Sequence, residues 1–279
     1  MRTLNRIGAA AAVAAFAITA TPAASAHETG SDQSHEKPDW KQFKSDTFRD
    51  QDGQYIVDGD IPVRNTASLF KFYKSLSGES DSVALESNGT GDLIANQGVD
   101  GNPTLWSESE ARNLTYCVSD DFGPRKAAVV SSMEGGAAMW EEASSGIDYQ
   151  YVPSEDGNCN TQNDNVVFSV EPTTSTGYIA RAFFPDTPKS ARNILVADQF
   201  YSSGWQQDAI MAHELGHTLG FRHEHTRPEA GTCFEDNNWS PLTPYDSRSI
   251  MHYPQCNGAS SQLSFSELDR QGVQKAYGA

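Results

Sequence analysis

The 279-residue sequence has few basic residues and little cysteine, and after residue 26 it has no long apolar run. Without an apolar run approaching ~20 residues, a membrane-spanning helix is not expected in the remaining chain. Lysine and arginine number 20 against 37 acidic residues, so the net charge is −17. Such a surface would repel a phosphate backbone. The composition therefore argues against a nucleic-acid partner.

The four cysteines are Cys117, Cys159, Cys233 and Cys256, and their spacing matches no zinc-finger pattern. An even number of cysteines in an exported chain favours disulfides. Sequence proximity favours pairing Cys117 with Cys159 and Cys233 with Cys256. The alternatives are the other pairings, or that some of the thiols stay free.

The first 26 residues carry the features of an export signal. Arg2 and Arg6 precede an apolar run from Ile7 to Ile18, and Ala24-Ser25-Ala26 offers the small residues that a signal peptidase accepts. The alternative, a membrane anchor, is disfavoured because the run is too short for a bilayer. We therefore predict a signal peptide over 1–26 and a secreted, extracellular protein with no membrane anchor after cleavage.

Composition divides the rest of the chain in two. Residues 27–54 are polar and nearly free of aliphatic side chains, which favours disorder. A short strand in YIVDGDIPV, a helix over Thr66–Leu76 with Thr66 as its cap, and a turn-rich linker follow. We predict an N-terminal segment over 27–105 and a larger domain over 106–279.

Strand and helix patterns alternate in the larger domain. The candidate strands are NLTYCV, IDYQYV, NVVFSV, YIARAFF and NILVADQF. After Gly123-Pro124, apolar residues recur at helical spacing as far as Trp140. Short strands around a crossover helix predict an α/β sheet.

The segment HELGHTLGFRHEH, residues 213–225, concentrates metal-binding side chains. A helix places residues four apart on one face, so His213 and His217 can direct two imidazoles at one ion. Gly220 suits a left-handed helix end that turns the chain and brings His223 back. Three neutral imidazoles leave one zinc position open for water, as in catalytic sites.

Glu214 lies next to the first of these histidines. Its offset lets it reach a metal-bound water without binding the metal, which suits a general base. A bare HExxH pattern is common, but HExxHxxGxxH followed by a methionine turn is much more restrictive. SIMHYP, Ser249–Pro254, supplies that turn with Met251 and Tyr253.

HELGHTLGFRHEHTRPE and SIMHYP resemble the astacin branch of the metzincin zinc endopeptidases, while IARAFFPDT is closer to the matrixin branch. The resemblance covers roughly residues 112–278. It implies an α/β metzincin fold with a twisted mixed β-sheet, an active-site helix and a smaller C-terminal subdomain, preceded by a propeptide-like segment. It also implies a secreted hydrolase, a zinc metalloprotease that cleaves protein or peptide substrates.

The resemblance also implies roles for single residues. The three histidines match the ligands of one catalytic Zn²⁺, and Glu214 matches the residue that polarises the attacking water. Met251 matches a methionine that packs beneath the metal without binding it. Tyr253 matches a tyrosine that binds zinc in the empty site and swings away to stabilise the oxyanion. The alternative for Tyr253 is an ordinary buried tyrosine.

Other positions follow the family pattern only in part. Glu224 matches a glutamate that pairs with a mature amino terminus. His225 replaces a common glutamine, and a surface histidine is the favoured interpretation because the ligand set is complete without it. Arg181 replaces a matrixin histidine, so no structural zinc is predicted. The loop Asp156–Asn165 offers oxygen ligands for Ca²⁺ but lacks EF-hand spacing, which favours a polar turn.

VDGDI, Val57–Ile61, resembles the astacin propeptide motif in which an aspartate after a glycine binds the catalytic zinc. Asp60 takes that place, which would make the protein a zymogen. The motif is short and Val57 replaces its aromatic residue. A strand that turns at Asp58-Gly59 with a solvated Asp60 is therefore the favoured alternative.

Two other functions compete with proteolysis: a binding protein that keeps the zinc fold without turnover, and a zinc hydrolase of a non-peptide substrate. Glu214 argues against a pure binder, which would not need a general base. For a protease, we expect an extended substrate along the edge strand near Tyr178–Phe184. The sequence does not define an oligomeric state.

Overall fold

The N-terminal part of the chain is built around a three-stranded antiparallel sheet in the computed structural model, which describes residues 39–76, 92–98 and 100–279. The elements of this N-terminal segment (residues 39–76) are α1 (Trp40–Asp46), β1 (Phe48–Arg49), β2 (Tyr55–Val57), β3 (Ile61–Val63) and α2 (Thr66–Ser75). The strands lie in the order β1-β2-β3. The predicted signal peptide lies outside the described residues.

The N-terminal segment has a small core of its own. Tyr55, Val57, Ile61 and Leu69 are buried together, and aromatic side chains from both helices pack against them. The prediction of disorder is therefore wrong from residue 40 onwards, because Trp40 and its aromatic neighbours supply apolar area that the scarcity of aliphatic residues concealed. Helix α2 is capped by Asn65, not by the predicted Thr66.

The rest of the described chain, residues 92–98 and 100–279, forms the main domain. Its strands and α-helices are β4 (Asp92–Asn96), α3 (Glu108–Ala111), β5 (Leu114–Val118), α4 (Lys126–Glu141), β6 (Tyr149–Tyr151), β7 (Phe168–Thr173), β8 (Ala180–Arg181), β9 (Asn193–Ala197), α5 (Gln207–Thr218), β10 (Trp239–Thr243) and α6 (Glu267–Tyr277). Short 3-10 turns cover Asp120–Arg125, Pro153–Asn158, Lys189–Ala191, Asp198–Tyr201, Glu224–Thr226 and Pro228–Ala230.

Five strands form the central sheet in the order β6-β5-β7-β9-β8. The neighbours β6, β5, β7 and β9 run parallel, and β8 pairs antiparallel with β9. This confirms the predicted α/β fold with a mixed sheet. β8 is an edge strand, and it lies within the stretch Tyr178–Phe184, along which an extended substrate is expected.

Helices α4 and α5 approach each other closely. A Cβ atom on Gly136 would lie 2.7 Å from the backbone nitrogen of Ala212, so only glycine permits this contact. Trp140 donates from Nε1 to the Ala212 carbonyl at 2.8 Å. Both contacts hold α5 in place from one side. The buried residues of α4, α5 and the central sheet form one hydrophobic core.

Strand β4 departs from the prediction. It pairs antiparallel with β10, and Leu93 and Ile94 are fully buried. The turn-rich composition around it predicted a linker, which is wrong over Asp92–Asn96 because the short apolar run DLIAN fills the core of the main domain. The preceding residues 77–91 lie outside the described part of the chain.

The main domain contains two disulfides, one of which starts from strand β5. Cys117 bonds to Cys159, and Cys233 bonds to Cys256, which is the pairing that sequence proximity favours. Within the described residues, no helix is long and apolar enough to cross a membrane.

Candidate metal centre

The end of helix α5 and the turn that follows position the histidines. The Gly220 N–H donates to the His217 carbonyl at 2.9 Å, and the Phe221 N–H donates to the Gly216 carbonyl at 2.9 Å. These two bonds form a Schellman motif, with Gly220 in the left-handed conformation at φ 95°. A side chain on Gly220 would also collide with the Thr104 carbonyl. The turn returns the chain toward the helix, as predicted.

Three imidazole nitrogens converge on one point. His223 Nε2 lies 3.2 Å from His213 Nε2 and 3.2 Å from His217 Nε2. Nitrogen ligands at ~2.1 Å around a tetrahedral zinc ion would be about 3.4 Å apart. The spacing of the donor atoms therefore fits a zinc ion.

The opposite side of each ring determines which nitrogen carries the proton. His213 Nδ1 lies 2.8 Å from the Ile250 carbonyl, and His217 Nδ1 lies 2.8 Å from the Phe221 carbonyl. A carbonyl only accepts hydrogen bonds, so Nδ1 is the donor and Nε2 is the nitrogen that each ring offers to a metal at the shared point. Zinc sites use such outer contacts to orient their histidines.

Asp60 lies at the same point. It follows the turn between β2 and β3, where Asp58 and Gly59 both have positive φ. Asp60 Oδ1 lies 3.2 Å from His223 Nε2, and Asp60 Oδ2 lies 3.3 Å from His213 Nε2. The favoured alternative, a solvated Asp60, is wrong because this side chain is only 4% exposed. The three histidines and Asp60 form one group that could hold a metal ion.

The environment of Asp60 favours its ionised form. Burial alone would raise the pKa of Asp60, but His223 and His217 outweigh it and hold the pKa well below its ordinary value. Oδ1 is buried and has no hydrogen-bond partner among the described residues. One carboxylate and three imidazole nitrogens at a single point are the donor set that a cation would complete.

Glu214 is buried beside this group. Its Oε2 atom has no hydrogen-bond partner among the described residues, and Glu214, Asp60 and His213 line one pocket. Burial raises the pKa of Glu214 well above its ordinary value, and the negative charge of Asp60 raises it further. With Asp60 in place, the site therefore favours the protonated form of Glu214.

Tyr253 closes the site from another side. Its hydroxyl donates to Asp60 Oδ2 at 2.5 Å, and its ring stacks on His213 with centroids 5.3 Å apart. Burial and the Asp60 carboxylate raise the pKa of Tyr253 well above its ordinary value, so the phenol remains a donor. Gly59 allows the contact, since a Cβ atom there would lie 3.1 Å from the phenol oxygen.

Met251 is fully buried and packs against α5. A Cβ atom on Gly216 would collide with Met251 Sδ and would lie 3.0 Å from the Trp140 ring. The glycine in the HELGH segment therefore makes room for the methionine turn directly behind the two helical histidines.

A buried charge network behind His223 was not predicted. Glu235 Oε1 lies 2.6 Å from His223 Nδ1 and 2.9 Å from His225 Nε2, while Glu235 Oε2 lies 3.3 Å from Arg222 Nη2. Burial alone would raise the pKa of Glu235, but His223 and His225 outweigh it and lower the pKa. Arg222 also pairs with Asp236 at 2.9 Å. The adjacent acidic residues after Cys233 were the available sequence signal.

His225 belongs to this network, so its interpretation as a surface histidine is wrong. Its side chain is 2% exposed. Burial lowers the pKa of His225 to about 4, which keeps the ring neutral near pH 7. His225 Nδ1 accepts from the Tyr253 N–H at 3.1 Å, so Nε2 is the nitrogen that donates to Glu235.

Two other predicted positions, Glu224 and Asp156, are buried and form ion pairs. Glu224 is fully buried, accepts from the Asp246 N–H at 3.2 Å and lies 3.3 Å from Arg227. Asp156, in the loop considered for Ca²⁺, accepts from the Val118 N–H at 3.0 Å and lies 2.6 Å from Lys126 Nζ. A lysine ammonium therefore occupies the position next to that carboxylate.

The edge strand and α5 border a pocket of about 180 Å³ beside the metal centre. Its apolar lining comes from Ile179, Ala180, Trp205, Ile210 and Leu263. Glu214 and His213 form its polar end. The pocket can take an apolar side chain next to the metal centre.

The N-terminal segment covers this region. Asp58 Oδ2 lies 3.2 Å from Arg222 Nη2, and Asp50 Oδ2 lies 3.0 Å from Arg181 Nε on β8. Phe184, which follows the edge strand, packs against the core of the N-terminal segment. The edge strand and the metal centre are thus both in contact with the same segment.

Sequence and structure comparisons place these features among known proteins. The sequence model of the family described as metallo-peptidase family M12 matches residues 115–266, more than half of the chain. Zinc metalloproteinase nas-30 of Caenorhabditis elegans is 38% identical over 69 residues, which cover 18% of this chain and only 9% of that relative. The structure of High choriolytic enzyme 1, a hatching enzyme zinc-protease from the medaka fish Oryzias latipes, matches with a TM-score of 0.39 and 17% identity, over 62% of this chain and 94% of that chain.

Proposed function

The chain belongs to metallo-peptidase family M12, and from this premise we propose that it is a zinc metalloendopeptidase secreted as a zymogen, with Glu214 as its general base. The convergence of three imidazole nitrogens beside a buried carboxyl group carries this proposal. His213, His217 and His223 are the proposed zinc ligands. Bound there, zinc would lower the pKa of a bound water toward ~7 and polarise the scissile carbonyl.

Glu214 would move the proton. In its buried pocket the carboxylate accepts a proton from the attacking water, and the surroundings that raise its pKa help it to hold that proton. It then delivers the proton to the leaving amine. Since Glu214 lies on α5 directly after His213, the helix that positions two imidazoles also positions the base.

Tyr253 would stabilise the oxyanion. In the structure its hydroxyl donates to the carboxylate of Asp60. Once that carboxylate leaves, the same O–H can donate to the oxygen that becomes negative during peptide hydrolysis. Met251 has no polar role in this scheme and supports the helical histidines by packing behind Gly216.

Protein substrates would bind in an extended conformation along β8. This strand lies at the edge of the central sheet, so its outer backbone groups are available for pairing with a peptide. The apolar pocket beside Glu214 would receive one side chain of the substrate. An apolar residue next to the cleaved bond is therefore expected.

Asp60 would keep the zymogen inactive. Its carboxylate occupies the position opposite the three imidazoles, where water would otherwise lie. Residues 27–105 were predicted as a propeptide; since β4 (Asp92–Asn96) fills the core of the main domain, the proposed propeptide ends before residue 92, and its removal exposes the site. The signal-like residues 1–26 and two disulfides support secretion, because disulfides persist in oxidising compartments.

The decisive experiment replaces Glu214 by Gln in the protein freed of its N-terminal segment. We expect casein hydrolysis to fall at least ~100-fold, because the amide cannot accept the proton. Elemental analysis should find zinc unchanged, since Glu214 is not a ligand. Glu108→Gln, on an exposed side chain of α3, is the matched control and should keep full activity. Retained cleavage in the Glu214 variant would mean that another group is the base.

A further inference from the structure

Arg181 on the edge strand is a buried cation whose charged partners both come from the N-terminal segment. Its side chain is 0% exposed, with Nε 3.0 Å from Asp50 Oδ2 and Nη2 2.5 Å from Asp52 Oδ2. The main domain supplies a neutral partner, the Asn193 side-chain oxygen, at 3.3 Å from Nη1. Among the described residues of the main domain, no carboxylate lies within ion-pair distance of Arg181.

Tyr178 completes a site for a carboxylate. Its hydroxyl donates to Asp50 Oδ2 at 2.5 Å, and its ring lies 5.9 Å from the Arg181 guanidinium. One carboxylate oxygen therefore receives both a guanidinium N–H and a phenol O–H. Burial alone would raise the pKa of Asp50, but the contacts with the Tyr178 hydroxyl, the Gln51 N–H and Arg181 together outweigh it and lower the pKa. The site thus binds the charged form of the carboxyl group.

This carboxylate site adjoins the expected path of a substrate. Tyr178 lines the pocket that contains Glu214, and Arg181 belongs to the edge strand itself. When the N-terminal segment leaves, Arg181 loses both of its charged partners. A guanidinium with several donors in a fixed arrangement then lies near the cleft without a carboxylate from its own domain.

We propose that Arg181 and Tyr178 form a binding site for acidic side chains of the substrate in the enzyme freed of its N-terminal segment. The preferred substrates carry two acidic residues separated by one residue, as Asp50-Gln51-Asp52 does, in the stretch adjoining the cleaved bond. This inference rests on the proposed proteolytic function. The net charge of −17 would by itself disfavour acidic substrates, so the preference is a local effect of one arginine.

The test compares two fluorogenic peptides that share one cleavage core. One carries the extension Phe-Arg-Asp-Gln-Asp-Gly and the other Phe-Arg-Asn-Gln-Asn-Gly, each attached in turn on either side of the core. We expect kcat/KM to be about tenfold higher for the acidic peptide in at least one arrangement, the size of a charge-assisted hydrogen bond. The ratio between the peptides is the readout, because it cancels any general loss of activity in a variant.

Substitutions of Arg181 test whether this residue causes the preference for the acidic peptide. Arg181→Gln should bring the ratio to about one, and Arg181→Lys should leave an intermediate ratio, because an ammonium keeps the charge but loses the planar arrangement of donors. Arg112→Gln, which changes an exposed arginine of the main domain, should keep the full ratio. Added salt should lower the ratio in the unaltered enzyme, a measurement that needs no variant.

Three results would overturn the inference. The ratio could be near one in the unaltered enzyme, or it could persist in Arg181→Gln. The acidic peptide could also inhibit cleavage of the neutral one without being cleaved faster, which would show that the site serves only the N-terminal segment. In each of these cases, the proposed function still holds if the unaltered enzyme cleaves the neutral peptide and the Glu214→Gln variant does not. If neither peptide is cleaved, the proposed function fails and the inference falls with it.

Discussion

Glu235 is the residue that most directly orients the third imidazole. Its Oε1 atom lies 2.6 Å from His223 Nδ1, and both side chains are buried. A carboxylate that accepts from Nδ1 holds the ring in the orientation and tautomer that present Nε2 to the metal. Glu235 Oε1 also accepts from His225 Nε2, and the Arg222 guanidinium pairs with Glu235 Oε2. Glu235 is therefore a positioning residue of the proposed zinc site.

Glu235→Gln should weaken zinc binding by about 10- to 100-fold, since outer contacts of this kind contribute that much to metal affinity. The amide oxygen can still accept from one histidine, but its charge is lost. Competition with a calibrated chelator measures the zinc affinity directly.

Glu229→Gln is the matched control for this experiment, because Glu229 is 52% exposed in the neighbouring turn. Its zinc affinity should equal that of the unaltered protein. An unchanged affinity in Glu235→Gln would show that His223 is oriented by its packing alone.

Site residues that lie close together in the sequence could be predicted, whereas those that meet only in the folded chain were harder to assign. His213, His217 and His223 could be predicted together because a helix and one turn relate them locally, and Gly220 marks that turn. Asp60 could not be assigned with the same certainty, since its contact with the histidines depends on how the N-terminal segment docks. Glu235 was missed because no spacing rule relates a loop carboxylate to a histidine that meets it only in the folded chain.

Among the larger elements, α6 stabilises the methionine turn through one carboxyl group. Asp269, in the first turn of α6, accepts from the Ser249 hydroxyl at 2.5 Å and from the Ile250 N–H at 2.8 Å. It also completes the capping box with Ser266. Ile250 in turn accepts from His213 Nδ1. The amino end of α6 is thus connected to the metal centre through two hydrogen bonds.

The ionisation of Asp269 should make this connection depend on pH. Burial raises the pKa of Asp269 to about 6. Because the pKa is higher in the folded than in the unfolded state, its contribution to stability is complete below about pH 4 and is lost as pH rises through 6. Relative to Asp269→Asn, which does not titrate, the unaltered protein should lose up to about 3 kcal/mol between pH 4 and 7.

Thermal unfolding of both proteins at constant ionic strength measures this difference. Glu267→Gln, one residue into the same helix and 71% exposed, controls for a general effect of charge at the helix start. A stability difference that is independent of pH between 4 and 7 would show that Asp269 does not titrate there.

Local sequence patterns were sufficient to predict most strands and helices of the main domain. The strands of the central sheet were predictable because each is a short apolar run bounded by turns, and α4 because its apolar residues recur at helical spacing. Strand β4 was not, since its few buried residues lie within turn-rich sequence and its partner β10 is distant in the chain. Pairing between distant strands is not visible in local composition.

At the scale of the whole molecule, the distribution of charge explains how the two parts fit together. The N-terminal segment brings Asp50, Asp52, Asp58 and Asp60 to the main domain. They meet two buried arginines, Arg181 and Arg222, and the three histidines of the metal centre. Removal of the segment therefore uncovers positive charge and metal-binding nitrogen at the same time.

The proposed latency can be tested in the uncleaved protein. Asp60→Ala removes the carboxylate opposite the three imidazoles, but Asp50 and Asp52 still hold the segment on Arg181. We therefore expect partial activation, with cleavage of a small fluorogenic peptide above that of the unaltered zymogen and below that of the enzyme freed of its N-terminal segment. Zinc should also be extracted faster by a chelator, because its proposed fourth ligand is gone.

Asp46→Ala is the control for that comparison, since Asp46 is an exposed residue of α1 whose side-chain bonds, among the described residues, all lie within its own helix. It should remain as latent as the unaltered zymogen. The two readouts separate two causes of latency. Faster zinc extraction without new activity would mean that coverage of the edge strand suffices for latency, and unchanged extraction together with unchanged activity would show that Asp60 does not bind the metal.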